Sequence, residues 1–139
     1  MPRKDRIHEA VKNALVKDGW TITDDPYRIV YDDADVYADL RIVKTQGDAA
    51  VEQRALVIEI KSFSGASPLH SLENALGQYE LYRIYLKRVA PADKLYLAIS
   101  RATYAEQFVR PAFTIVIEEK NLPVLVVDTE REEVVQWIN

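Results

Sequence analysis

The chain has 139 residues, 48% of them hydrophobic, with a formal net charge of −4, two histidines and no cysteine. That length suits one domain, 1–139, with a core of its own. Without cysteine, disulfides and thiolate-held zinc are excluded and a reducing cytoplasm is the expected setting; His8 and His70 are too few for a histidine-rich metal site, and the acidic balance argues against coating nucleic acid through bulk charge.

The N-terminus, Met1-Pro2-Arg3-Lys4-Asp5-Arg6, is charged and no apolar segment follows it, so no secretory signal is expected. Nor does any apolar run reach the ~18 residues of a membrane span. Ile7, Ala10, Val11, Ala14 and Leu15 recur at helical spacing, which predicts a helix over 5–18 with Gly19 as its stop. Arg3, Lys4, Arg6, Lys12 and Lys17 make its outer side basic, read as a solvated face with phosphate contact as the alternative. Trp20-Thr21-Ile22-Thr23 predicts a short strand, ended by Asp24-Asp25-Pro26. Tyr27 to Tyr31 is predicted as the first sheet strand. Asp32, Asp33 and Asp35 crowd an acidic hairpin turn that lacks the EF-hand pattern.

Val36 to Val43 is predicted as the second strand, with Val36, Ala38, Leu40 and Ile42 on one face and Asp39 mid-strand on the other. Lys44 to Arg54 is a polar connection. Ala55 to Phe63 is the third strand, with Leu56, Ile58 and Ile60 on one face and Glu59 and Lys61 on the other. Ser67-Pro68 reads as an N-cap and first helical residue, opening a helix to about Lys87. Its main apolar stripe is Leu72, Ala75, Leu76, Tyr79, Tyr82 and Leu86. Leu81, Ile84 and Tyr85 fall outside that stripe, which suggests a protein–protein contact. Lys94 to Ser100 is a buried strand and Ala102 to Val109 a short helix. Ala112 to Lys120 leans helical despite its β-branched centre. Val124 to Val127 and Glu133 to Ile138 form a closing hairpin.

A buried strand rarely carries a carboxylate and an ammonium side by side unless they are paired or hold a metal. Glu59 and Lys61, with Asp39 one hairpin upstream, form a candidate metal site. Mg²⁺ (or Mn²⁺) prefers hard oxygen ligands and retains water, so Asp39, Glu59 and the Ile60 carbonyl would suffice as ligands. Lys61 would position the attacking water and stabilise charge first, and serve as general base second. The competing reading is a plain structural ion pair of Glu59 with Lys61.

The Asp39…Glu59-x-Lys61 pattern, set in adjacent strands with a helix after it, resembles the PD-(D/E)xK nuclease superfamily, with Ala38 in place of the proline that often precedes the aspartate. Gln78 and Tyr82 resemble the Q-x-x-x-Y element of RecB-like nucleases, with a core-packing tyrosine and a capping glutamine as the alternative. The resemblance implies an α/β fold with a restriction-endonuclease-like αβββαβ core, a mixed sheet flanked by helices and a C-terminal β-hairpin. It also implies catalytic roles for Asp39, Glu59, Lys61 and Gln78, with support from Tyr82. Glu9 on the first helix is a further candidate carboxylate, with an exposed helix Glu as the alternative.

Several blocks are similar to the XisH-like family of cyanobacterial excision controlling factors: 11–23, Glu59-Ile60-Lys61-Ser62-Phe63, 75–83 and Gln136-Trp137-Ile138. That resemblance implies a role in programmed excision of the fdxN DNA element, beside a site-specific recombinase and a small XisI-like companion. DNA, that companion and a second copy of the chain are the expected partners. Two functions remain open. One is a metal-dependent DNA endonuclease. The other is a non-cleaving regulator with a nuclease fold that binds DNA or a partner protein.

Overall fold

The computed structural model describes residues 3–45 and 53–139. Most of the predicted polar connection, 46–52, lies outside the described residues. In chain order the elements are α1 (Arg3–Lys17), β1 (Thr21–Asp24), β2 (Tyr27–Tyr31), β3 (Ala34–Ala38), β4 (Leu40–Thr45), β5 (Gln53–Ile60), α2 (Pro68–Val89), β6 (Lys94–Ser100) and α3 (Arg101–Thr103). A π-helical turn (Tyr104–Phe108), α4 (Pro111–Lys120), β7 (Val124–Asp128) and β8 (Glu133–Ile138) complete the fold.

Six strands form one mixed sheet in the order β1-β4-β5-β6-β7-β8. β1, β4 and β5 pair antiparallel, β5, β6 and β7 parallel, and β8 returns antiparallel on β7. Parallel neighbours cannot be joined by a tight turn. α2 therefore carries the chain from β5 to β6, and α3, the π turn and α4 carry it from β6 to β7. The two faces of the sheet bury separate clusters. Val11, Ala14 and Leu15 of α1 pack with Leu40, Ile58, Tyr96 and Leu125. On the other face Leu72, Tyr79, Tyr82 and Leu86 of α2, with Phe108 and Phe113, pack on Val57, Leu97 and Val126. Strands covered on both faces read as continuous apolar runs. Leu95 to Ile99 and Val124 to Val127 are buried at every position.

The ends of the helices follow the local chemistry. Gly19, at φ +94°, ends α1 and lets the Trp20 N–H reach the Leu15 carbonyl at 3.0 Å. Ser67 accepts the His70 N–H ahead of Pro68, as an N-cap should. α4 forms despite Thr114-Ile115-Val116-Ile117, because Pro111 opens it, buried Phe113 anchors it and Asn121 closes it in the left-handed region at φ +50°. The predicted short helix after β6 is three α-helical residues running into the π turn. Among the described residues no helix is long and apolar enough to cross a membrane.

Three predicted strands are corrected. Val36 to Val43 is not one strand. It breaks at Asp39 into β3 and β4, which belong to different sheets. Ala38 packs in the cluster under α2 while Leu40 packs in the cluster under α1. Residues two apart in a continuous strand share a face, so the chain must turn over between them. Asp39 is that bend and not a mid-strand residue. Tyr27 to Tyr31 is likewise absent from the main sheet: β2 and β3 form a two-stranded sheet of their own, and Ile29 and Ala38 share the core cluster with α2. Finally, the third predicted strand ends at Ile60, not Phe63.

Candidate functional site

The bend at Asp39 places its carboxylate at the end of β5. The β4–β5 ladder closes at the pair Leu40–Ile58. Beyond it the Ile60 N–H has lost its backbone partner, because β3 has turned away, and the Asp39 Oδ2 accepts it at 2.7 Å. A side chain thus replaces a ladder bond, as a buried backbone donor requires. Glu59 lies on the face turned toward α2 and is 7% exposed. Its Oε2 is 3.4 Å from the Lys61 Nζ. Its Oε1 is buried and has no hydrogen-bond partner among the described residues. Burial, first, and the negative charge of Asp39, second, push the Glu59 carboxyl up to about 7, against the opposing pull of Lys61 and of the Asp39 backbone N–H.

Lys61 follows the strand but stays in register, its N–H bonded to the Ala98 carbonyl at 3.0 Å. Its ammonium donates to the Gln78 Oε1 from α2. Glu59 and Gln78 thus hold it from two sides. The next residues are fixed from below. Phe63 adopts φ +52°, rare for a bulky side chain, and its ring packs on Phe108 at 5.3 Å and Phe113 at 6.1 Å. The buried Thr103 hydroxyl donates to the Ser62 carbonyl at 3.2 Å. The π turn therefore supports the segment that carries the lysine. A cavity of about 310 Å³ opens above it, lined by Ile7, His8, Asp39, Ile60, Lys61, Ser62 and Ser64.

His8 faces this cavity, although the sequence offers it only as one of two histidines. Its Nε2 lies 2.8 Å from the Asp25 Oδ1 and its Nδ1 3.9 Å from the Asp39 Oδ1. An ionised carboxylate only accepts, so Nε2 donates to Asp25 and Nδ1 is turned toward Asp39. Lys12 holds the other Asp25 oxygen at 2.7 Å. Burial pushes the Asp25 carboxyl up, but the bonds from Lys12 and His8 outweigh it and hold the group below its usual range. The signal in the sequence was position: His8 shares an i, i+3, i+7 stripe with Val11 and Leu15 and so had to face inward.

Two other candidates fall elsewhere. Glu9 is exposed, 4.0 Å from Lys12, and does not line the cavity. Tyr82, one turn after Gln78, is buried in the core cluster under α2. Among the described residues no three His, Asp or Glu side chains already stand as a cage for an ion. The carboxylates still fit a hard cation that keeps its waters, because the buried Glu59 Oε1 has an unfilled acceptor position and the Asp39 charge acts on the same carboxyl.

A comparison with curated proteins finds no match. Two crystal structures are similar along nearly the whole chain. One is an XisH family protein from Nostoc punctiforme PCC 73102, 34% identical with a TM-score of 0.88, covering 97% of this chain and 100% of that one. The other is a fdxN element excision controlling factor protein from Anabaena variabilis, 38% identical with a TM-score of 0.87, covering 97% and 99%. A family model described as XisH protein matches residues 1–135. With that match and two likenesses of this extent, the chain belongs to the XisH family.

Proposed function

We propose that this chain is a Mg²⁺- or Mn²⁺-dependent DNA endonuclease of restriction-endonuclease-like, PD-(D/E)xK type, acting in the cytoplasm in the excision of a DNA element. The observation that carries the reading is Glu59: a buried carboxylate with one unpartnered oxygen, placed beside a second carboxylate and a lysine. Burying such a group costs stability unless something binds it, and the ion pair with Lys61 alone leaves Oε1 without a partner. The order α1, β1, β4, β5, α2, β6 fits the αβββαβ arrangement, with the site at the carboxyl end of β5. Excision of the fdxN element comes from the name of the Anabaena relative; a recombinase and a small XisI-like protein are the proposed companions.

Asp39 and Glu59, with the Ile60 carbonyl, would hold the cation, and the His8 Nδ1 faces the same side of Asp39. When bound, such an ion neutralises phosphate charge and lowers the pKa of its water. Lys61, fixed by Gln78, orients the attacking water and meets charge that develops on the phosphate. Asp25 and Lys12 hold the His8 ring in place.

The alternative is a non-cleaving regulator. The exposed apolar side of α2, with Leu81 and Ile84 each about half exposed, favours it. Plasmid and linear DNA incubated with the protein separate the two readings. Cleavage with Mg²⁺ or Mn²⁺ that EDTA abolishes is the expected result. Intact DNA in every condition, with and without the small companion, would leave the regulator.

A further inference from the structure

α2 buries one side and leaves the opposite side bare. Leu72, Ala75, Tyr79, Tyr82 and Leu86 pack inward. Glu73, Gly77, Leu81, Ile84 and Arg88 follow one another at steps of four, four, three and four. At 3.6 residues per turn they form a single line on the far side of the helix. Leu81 is 45% and Ile84 50% exposed. Beside them Tyr85 stacks on half-exposed Tyr31, ring centroids 6.3 Å apart, which widens the apolar surface. A Cβ built at Gly77 would meet nothing within 4 Å. This glycine is therefore not required by packing inside the chain.

The line is its own complement when reversed. Set a second α2 antiparallel to the first, with a twofold axis level with the step from Glu80 to Leu81. Ile84 then faces Gly77 of the second copy, a side chain over a gap. Arg88 faces Glu73 of the second copy, and Leu81 meets Leu81. The Ile84–Gly77 and Arg88–Glu73 relations each occur twice and the Leu81 contact once, across the axis, as an isologous interface demands. Neither Glu73 nor Arg88 has an ion-pair partner among the described residues. A glycine in the seam allows two helices to approach closely. We propose that this face of α2 is the interface of a homodimer, formed by antiparallel α2–α2 packing. A second copy is the occupant that both the placement of opposite charges and the pairing of gap with side chain select. An acidic partner protein would leave Glu73 facing like charge.

The surface uses none of Asp39, Glu59, Lys61 or Gln78, so its test does not depend on activity. Sedimentation velocity of the whole chain, from micromolar to about 0.5 mM, should show a monomer–dimer equilibrium. Ile84→Glu should abolish the dimer. Glu73→Arg should weaken it at least about tenfold, and the exchange Glu73→Arg with Arg88→Glu should restore it, because only a pair that meets across the axis is repaired by swapping signs. All these positions are exposed, so the variants keep the fold, which circular dichroism checks. A wild-type chain that stays monomeric at the highest concentration would overturn the proposal. So would an exchange that fails to restore what Glu73→Arg removes.

Discussion

Lys61→Ala is expected to lower metal-dependent DNA cleavage by about 10²–10⁴-fold, the range for a group that handles charge or protons in the transition state. Its ammonium sits between the Glu59 carboxylate and the Gln78 amide, and the residue lines the cavity. Among the described residues, nothing else lining that cavity supplies a fixed positive charge. Lys61→Arg should not rescue the rate. A planar guanidinium cannot occupy the place of a compact ammonium held from two sides. Gln78→Ala should cost less, because it frees the lysine without removing it. Measured under single-turnover conditions, the loss should fall on the chemical step. A Lys61→Ala variant that cleaves at the wild-type rate would remove Lys61 from the mechanism.

Glu59→Gln should make the metal-free protein more stable near pH 8, by about 1–3 kcal/mol. The folded protein holds this carboxyl at about 7, against 4.5 for the free group, a difference worth about 3 kcal/mol at most. The sign follows from proton counting. Between those two values the folded state binds the proton and the unfolded state does not, so stability falls as pH rises. It is highest below about pH 4.5, and the whole penalty is present above about pH 7. Glutamine does not titrate, so the wild-type and variant melting curves should coincide near pH 4.5 and separate as pH rises. Lys61 loses its partner in the variant, which makes the gain smaller than the limit. Saturating Mg²⁺ should narrow the gap by stabilising only the wild type. Equal stabilities across pH 5–8 would mean that Glu59 is satisfied as it stands.

Much of this arrangement could be read from the residues. The buried central strands stood out as apolar runs, Ser67-Pro68 opened α2, and the closing hairpin at 124–138 formed as expected. The fault lay at Asp39. Alternation from Val36 to Val43 looks unbroken, and a strand that turns over between two buried apolar residues leaves no local mark. Only tertiary packing, Ala38 under α2 and Leu40 under α1, fixes the bend. That same bend gives the Ile60 N–H to the Asp39 carboxylate. Lys61 was legible from its place beside Glu59 in an apolar strand, and Gln78 from its resemblance to the Q-x-x-x-Y element. His8 was not, because its significance depends on Asp25, just beyond β1 and 17 residues away.

The most direct measurement is of cation binding at these carboxylates. Mn²⁺ titrated into the protein at about pH 8 can be followed by the loss of the free-ion EPR signal. The wild type should bind Mn²⁺, with Mg²⁺ competing, and both Asp39→Asn and Glu59→Gln should lose that binding while remaining folded. A wild-type chain that leaves the Mn²⁺ signal unchanged, or variants that bind as tightly as the wild type, would contradict a metal site at the end of β5.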